Sequence, residues 1–254
     1  MPITITDIRR VPVKGLSTEV LDSVRLSPGQ GVIGDRRFVL ADTSVRIDRD
    51  SPRWVPRTNF LMLMRNQRLA ALDTRFDADT GMLTVSRDGN EVVRGRITEP
   101  VGRAVIEDFF AAYMGAEARA KPRLLEAPPG HMFSDHPAPV VSLINLASVR
   151  DLERVVGAPV DPVRFRANLY FEGARAWADF AWVDTDIAVG AARLRVTARI
   201  PRCAATNVDP ASGARDMNIP KALQRGFGHV DLGLYARVTV GGPVSVGDEI
   251  RAPA

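Results

Sequence analysis

The side chain best suited to metal or nucleophilic chemistry in this 254-residue sequence is Cys203, its only cysteine. A thiolate is a soft metal ligand and a strong nucleophile. Arg199 and Arg202 lie just before it, and nearby positive charge favours the thiolate. Asp209-Pro210 predicts a turn soon afterwards, so the thiol is expected where a strand gives way to a loop. The alternative is a buried cysteine that acts only as a small apolar side chain.

Two further pairs of residues could bind an anion. Lys14 precedes Gly15, and because glycine lets a ligand approach the backbone closely, this lysine could contact a phosphate. The alternative for Lys14 is an ordinary solvated lysine. Arg166 and Asn168 alternate on a predicted strand and therefore face the same side. Together they could clamp a phosphate, unless that face is simply exposed.

Asn145 and Ser148 stand at the start of a predicted helix. Both types are common N-cap residues, and a helix N-terminus also attracts anions, so capping and ligand binding both stay open. His131 and His136 could bind zinc together with Cys203. Their spacing differs from that of a helical HExxH pair, however, and the segment is rich in proline, which argues against a zinc site.

Four stretches of sequence, in order, resemble the MOSC family, named after the C-terminal domain of molybdenum cofactor sulfurase. Residues 11–16 and 34–40 resemble the β-barrel domain that precedes MOSC, and residues 141–148 resemble the opening of MOSC itself. Residues 161–169 resemble an Arg-Phe-Arg-Pro-Asn motif in which Ala167 replaces the proline, and residues 202–213 resemble the cysteine signature. The resemblance spans nearly the whole chain.

The resemblance implies a molybdenum-molybdopterin cofactor, with Cys203 as the catalytic residue and the protein ligand of the metal. It also assigns a larger set of residues to cofactor binding. These are Lys14, Gly15, Arg36, Asn145, Ser148, Arg166, Asn168 and Arg202. For Arg36 the alternative is a surface salt bridge. Thr206, Asn207 and Asp209 would form a turn that fixes the thiolate. The alternative is that their side chains only form hydrogen bonds to the backbone of the turn.

By the same resemblance, the expected activity is the two-electron reduction of N-hydroxylated compounds such as amidoximes and hydroxylamine-type purines. Iron–sulfur clusters usually take four cysteines, so this chain is expected to hold none. A separate donor protein of the ferredoxin, flavoprotein or cytochrome type would then supply electrons. Two alternatives stay open: a sulfur carrier with a persulfide on Cys203, and a non-catalytic cofactor-binding module. Pyridoxal phosphate is not expected, because the desulfurase domain of the sulfurases is absent.

Composition excludes several other classes of function. The chain has 45% apolar and 25% charged residues, which is ordinary for a soluble globular protein. We expect no membrane span and no signal peptide, and hence a cytoplasmic protein. The net charge is +4, but acidic residues interrupt the basic ones, so nucleic-acid binding is not expected. The glycine spacing of residues 29–34 leads into a strand pattern and predicts a turn, not a dinucleotide site.

The pattern of elements predicts a mainly β protein with some α-helix, in the α+β class. Short strands are expected from residue 3 onwards, and helices at 101–114, 146–156 and 219–225. A proline-rich stretch at 121–140 suggests a domain connection. We therefore predict an N-terminal β-barrel domain at residues 1–120 and a MOSC β-barrel domain with peripheral helices at residues 121–254.

Overall fold

The computed structural model describes residues 2–48 and 53–253. Within these residues the fold is mainly β, with fifteen strands and three α-helices, which confirms the predicted class. The strands are β1 (Ile3–Arg10), β2 (Glu19–Leu21), β3 (Ser23–Leu26), β4 (Phe38–Ala41), β5 (Asp73–Asp77), β6 (Met82–Arg87), β7 (Asn90–Arg96), β8 (Arg123–Glu126), β9 (Val141–Asn145), β10 (Leu169–Glu172), β11 (Asp186–Val189), β12 (Ala192–Pro201), β13 (Asp231–Val240), β14 (Gly242–Ser245) and β15 (Glu249–Arg251). The helices are α1 (Pro100–Met114), α2 (Leu146–Val156) and α3 (Ile219–Phe227).

A closed seven-stranded barrel forms the larger part of the fold. Its strands follow the order β10, β9, β13, β12, β11, β15 and β1, and pairing of β1 with β10 closes the ring. Most neighbours are antiparallel, whereas β9 and β10 run parallel. Alternating apolar residues such as Leu194, Val196 and Leu234 fill the interior. This is expected for a barrel small enough for its own side chains to fill it.

A second core lies outside the barrel. The two-stranded sheet β4–β8 and the three-stranded sheet β5–β6–β7 pack with α1 around Phe38, Leu40 and Phe110. These small sheets occupy the part of the chain for which the resemblance implies an N-terminal barrel. The predicted boundary at residues 120/121 stays a prediction, and strand pairing crosses it in both directions: β1 belongs to the large barrel, and β8 pairs with β4.

Helix α1 is present where the sequence predicts it, but it buries a different face. The spacing of Val101, Val105, Phe109 and Ala112 predicts that these residues form the packed face, yet Val101 is 77% exposed. The buried face carries Ile106, Phe110 and Met114 instead. This segment is apolar on more than one side, so periodicity alone could not decide which side packs. No helix among the described residues has the length and apolarity that crossing a membrane requires.

A buried carboxylate stabilises the second core. Asp42 is fully buried and accepts hydrogen bonds from Arg65 Nη2 at 2.6 Å and from Arg119 Nη2 at 2.7 Å. Burial alone would raise the pKa of Asp42, but the two guanidiniums outweigh it and hold the pKa below the ordinary value.

Replacing Asp42 with asparagine should therefore lower the free energy of unfolding by about 3 kcal/mol at neutral pH, because two arginines lose their counter-charge. Since the pKa of Asp42 is depressed, this stabilisation is lost as pH falls through the folded-state pKa. The difference from wild type should thus shrink in acid. Urea titrations at neutral and acidic pH measure both effects. Glu117→Gln, which removes the partner of an exposed arginine, Arg68, is the control and should change little.

Candidate functional site

A cavity of about 400 Å³ is lined by residues from both halves of the chain. Most of the predicted site residues lie on its wall. They are Lys14, Gly15, Arg36, Arg166, Asn168, Arg202 and Cys203. Positions up to 189 residues apart in sequence therefore meet at one site. The volume falls in the usual range for a small-molecule or cofactor site.

Cys203 sits just beyond the end of β12, where the strand gives way to a loop, as predicted. The residue is half-buried and begins a short 3-10 turn, Ala204–Asn207. Its carbonyl oxygen accepts hydrogen bonds from Thr206 N at 3.0 Å and Thr206 Oγ1 at 2.8 Å. These bonds hold the backbone and leave the thiol on the cavity wall.

The polar residues Asn207 and Asp209, which follow Cys203, form hydrogen bonds within the protein. Asn207 Oδ1 accepts from Ile219 N at 2.9 Å and so attaches the turn to the start of α3. Asp209 Oδ1 accepts from Ser212 N at 2.7 Å, and Asp209 Oδ2 accepts from the Arg164 side chain at 3.1 Å. These contacts match the alternative in which Asn207 and Asp209 shape the loop.

Three guanidiniums are held by backbone carbonyls around a single turn. Arg202 Nη1 donates to Phe165 O at 3.1 Å, and Arg36 Nη2 donates to Arg166 O at 2.8 Å. Arg166 itself donates from Nη2 to Leu16 O. Adjacent carbonyls, at positions 165 and 166, thus orient two arginines. A neutral carbonyl fixes a guanidinium without cancelling its charge, so these hydrogen bonds leave the arginines positively charged.

Arg36 and Arg166 both have a left-handed backbone, with φ of 48° and 52°. Residues other than glycine rarely adopt this backbone conformation, and those that do cluster at ligand sites. Arg166 ends the 3-10 turn Pro162–Phe165, and β10 begins only at Leu169. The prediction that Arg166 and Asn168 alternate on one strand was therefore wrong, although both residues reach the cavity.

The cluster is poorly neutralised. Burial lowers the pKa of Arg166 and of Arg202 to about 10 each. Across residues 2–48 and 53–253, neither has a carboxylate within 4.0 Å. Arg36 differs: burial would lower its pKa, but ion pairing with Asp35 outweighs this and raises it. Partly buried cations without counter-ions favour binding of an anion.

Lys14 is buried on the same wall and has a partner that the sequence did not reveal. Its Nζ donates to Phe133 O at 2.8 Å and to Asp135 Oδ1 at 2.5 Å. Burial lowers the pKa of Lys14, and the Asp135 carboxylate opposes that shift. Burial would raise the pKa of Asp135, but Lys14 outweighs it and the pKa is lowered. The neighbouring Gly15 has φ +88°, which favours glycine at this bend.

Asn168 lines the cavity, but its amide is engaged within the protein. Its Oδ1 accepts from Ser142 N at 3.0 Å and Ser142 Oγ at 2.9 Å, and its Nδ2 donates to Arg9 O at 3.2 Å. These bonds join the beginnings of β9 and β10 to β1. Asn168 therefore positions the strands that carry the site.

Asn145 and Ser148 are not brought to the cavity, so the ligand-binding alternative for them needs correction. Asn145 is fully buried and caps α2, because its Oδ1 accepts from Ala147 N at 3.0 Å. Its Nδ2 donates to Arg175 O at 2.8 Å and to Asp179 Oδ1 at 3.0 Å. Ser148 Oγ accepts from Trp177 N at 2.9 Å. Both side chains are occupied by the loop that covers the helix.

Replacing Asn145 with alanine should lower the free energy of unfolding by about 2 to 3 kcal/mol, because three hydrogen bonds of a fully buried side chain disappear. Thermal unfolding measures this loss, and anion binding in the cavity should stay unchanged. Asn218→Ala is the matched control, since Asn218 caps α3 through one exposed bond to Lys221 N. Its loss should cost about 1 kcal/mol. A loss of anion affinity in Asn145→Ala at unchanged stability would restore the ligand-binding alternative.

The structure adds residues that sequence patterns could not single out. Tyr235 lines the cavity from β13, and burial raises its pKa. Arg164 is buried and forms a two-pronged ion pair with Asp216, at 2.7 and 2.8 Å. Only its position beside Arg166 in the resembling stretch offered a signal. Among the described residues, no group of three or more His, Cys, Asp or Glu is placed to hold a metal.

Comparison with known proteins agrees with the sequence motifs. A family model described as the MOSC domain matches residues 130–251. The crystal structure of the YuaD protein from Bacillus subtilis is 11% identical, covers 98% of this chain and 94% of its own, and has a TM-score of 0.45. That of YiiM from Geobacillus stearothermophilus is 20% identical, covers 45% of this chain and 54% of its own, and has a TM-score of 0.35. No protein of curated function matches the chain in sequence.

Proposed function

Because residues 130–251 form a MOSC domain, we propose that this protein binds a molybdenum cofactor in the cavity around Cys203 and reduces N-hydroxylated compounds. One observation carries the proposal. The only thiol of the chain lines the same cavity as Arg166 and Arg202, two guanidiniums that have no carboxylate partner among the described residues. A soft metal ligand and an anion site are the two features that a metal held by a phosphorylated pterin requires.

The donor set of the cavity fits such a group. Cys203 offers one soft sulfur ligand, and the pterin would supply further sulfur through its dithiolene. Arg36, Arg166 and Arg202 offer forked donors suited to a phosphate. The volume of about 400 Å³ suits one cofactor-sized molecule. The left-handed backbone of Arg36 and Arg166 is a local cost that a ligand-binding role would explain.

The bound group would supply two-electron chemistry at the metal. The overall reaction converts an N-hydroxylated compound, two electrons and two protons into the corresponding amine or amidine and water. The chain's own residues would bind and orient this group: the thiolate of Cys203 would hold the metal, and the arginines would hold the phosphate end. The two electrons come from a separate donor protein, of the ferredoxin, flavoprotein or cytochrome type. We place the reaction in the cytoplasm, where a free thiol stays reduced.

A reductase assay tests the proposed activity. Protein purified from a host that makes the pterin cofactor is reduced with dithionite and mixed with benzamidoxime or a hydroxylaminopurine, and the amidine or amine is quantified. The proposal expects product, with none from heat-denatured protein. Bound cofactor without product would favour a non-catalytic binding module. Cyanide-releasable sulfur on Cys203 without molybdenum would favour a sulfur carrier.

A further inference from the structure

Lys14 already forms an ion pair with a carboxylate of the same chain. Asp135 Oδ1 lies 2.5 Å from Lys14 Nζ, and Asp135 Oδ2 lies 3.5 Å from Arg57 Nη1. Asp135 is the only carboxylate among the described residues that line the cavity. The only carboxylate that lines this positively charged cavity is thus paired with its buried lysine, Lys14.

The two partners differ in how freely they can move. The Lys14 side chain is 10% exposed, whereas that of Asp135 is 41% exposed. Lys14 is also held by Phe133 O. An exchange of partners at Lys14 would therefore move Asp135 towards water and leave the lysine in place.

We infer that Asp135 is an internal competitor for the phosphate end of the ligand: it neutralises Lys14 in the ligand-free protein and leaves when a phosphate binds. This inference rests on the proposed function only for the identity of the ligand. Two like charges cannot share one buried lysine without a large electrostatic cost. A phosphate can repay the displacement because Arg36 and Arg166 line the same cavity and offer it further charged donors. Asp135 would thus select for strongly charged ligands.

Binding of inorganic phosphate to purified protein, measured by isothermal titration calorimetry, tests the inference. Asp135→Asn should bind phosphate about tenfold more tightly than wild type, equivalent to about 1.4 kcal/mol. Asp108→Asn is a matched control, because Asp108 forms a Lys–Asp pair of the same 2.5 Å length with Lys121 on the exposed surface. It should bind phosphate like wild type. Equal or weaker binding by Asp135→Asn would overturn the inference, because Asp135 would then position Lys14.

Wild-type protein gives a second measurement if Asp135→Asn does not fold. Hydrogen exchange of residues 134–138 should become faster when phosphate is added, because release of Asp135 loosens the turn in which His136 N donates to Ser134 Oγ. Unchanged or slower exchange under saturating phosphate would contradict the release. These measurements need no molybdenum, so a protein that carries the cofactor but fails them keeps the proposed function and loses only this inference.

Discussion

Replacing Cys203 with serine should remove essentially all molybdenum from protein purified from a host that makes the pterin cofactor. The substitution removes the only thiol of the chain. A serine hydroxyl is a harder and far less acidic ligand, so it should not replace the thiolate at the metal. The fold should persist, because the hydrogen bonds at this position come from the backbone carbonyl, which serine retains. Metal analysis, with circular dichroism to confirm folding, measures the effect.

Met132→Leu is the matched control for this substitution. Met132 also lines the cavity and carries a sulfur, but a thioether cannot become a thiolate, so its loss should leave the molybdenum content unchanged. Retention of metal in Cys203→Ser would contradict the assigned ligand. Loss of metal in both variants would point to a general change in cavity shape.

Replacing Arg166 with glycine should weaken phosphate binding at least about tenfold and, at the same time, stabilise the ligand-free protein. The guanidinium is partly buried and has no carboxylate partner, and desolvation lowers its pKa to about 10 from an ordinary 12.5. Glycine also removes the strain of a left-handed backbone, since Arg166 has φ of 52°. We expect the free energy of unfolding to rise by about 1 to 3 kcal/mol.

Arg166→Met separates the two causes, because it removes the charge and keeps the backbone strain. Urea titrations should place Arg166→Gly above Arg166→Met in stability, and calorimetry should show weak phosphate binding by both. If both variants were less stable than wild type, Arg166 would be a structural residue whose contact with Leu16 O outweighs its desolvation.

The sequence anticipated the elements better than the contacts between them. The position of Cys203 at the end of a strand followed from local turn signals, and α2 and α3 followed from periodicity. The pairing of Lys14 with Asp135 joins positions 121 residues apart. A local sequence pattern cannot predict this ion pair, because the strand order in the barrel decides which loops come together.

Asn145 and Arg166 show where residue type alone is ambiguous. Asn145 suits a helix cap and an anion site equally, and only the position of Asp179 and Arg175 shows that its amide is occupied. Arg166 lies in a stretch that reads as a strand, but the chain turns there through a left-handed residue. Tertiary contacts fix that conformation, so its presence could not be inferred from propensity.

In the proposed site, the thiol at position 203 and the arginines around the turn at 165–166 would together hold a molybdenum-pterin group. The most direct test of this claim is the amount of molybdenum and of oxidised pterin fluorescence per chain, in wild-type protein from a host that loads other molybdenum enzymes. We predict near-stoichiometric amounts of both. Protein that contains neither, from a host whose other molybdenum enzymes are fully loaded, would contradict the claim.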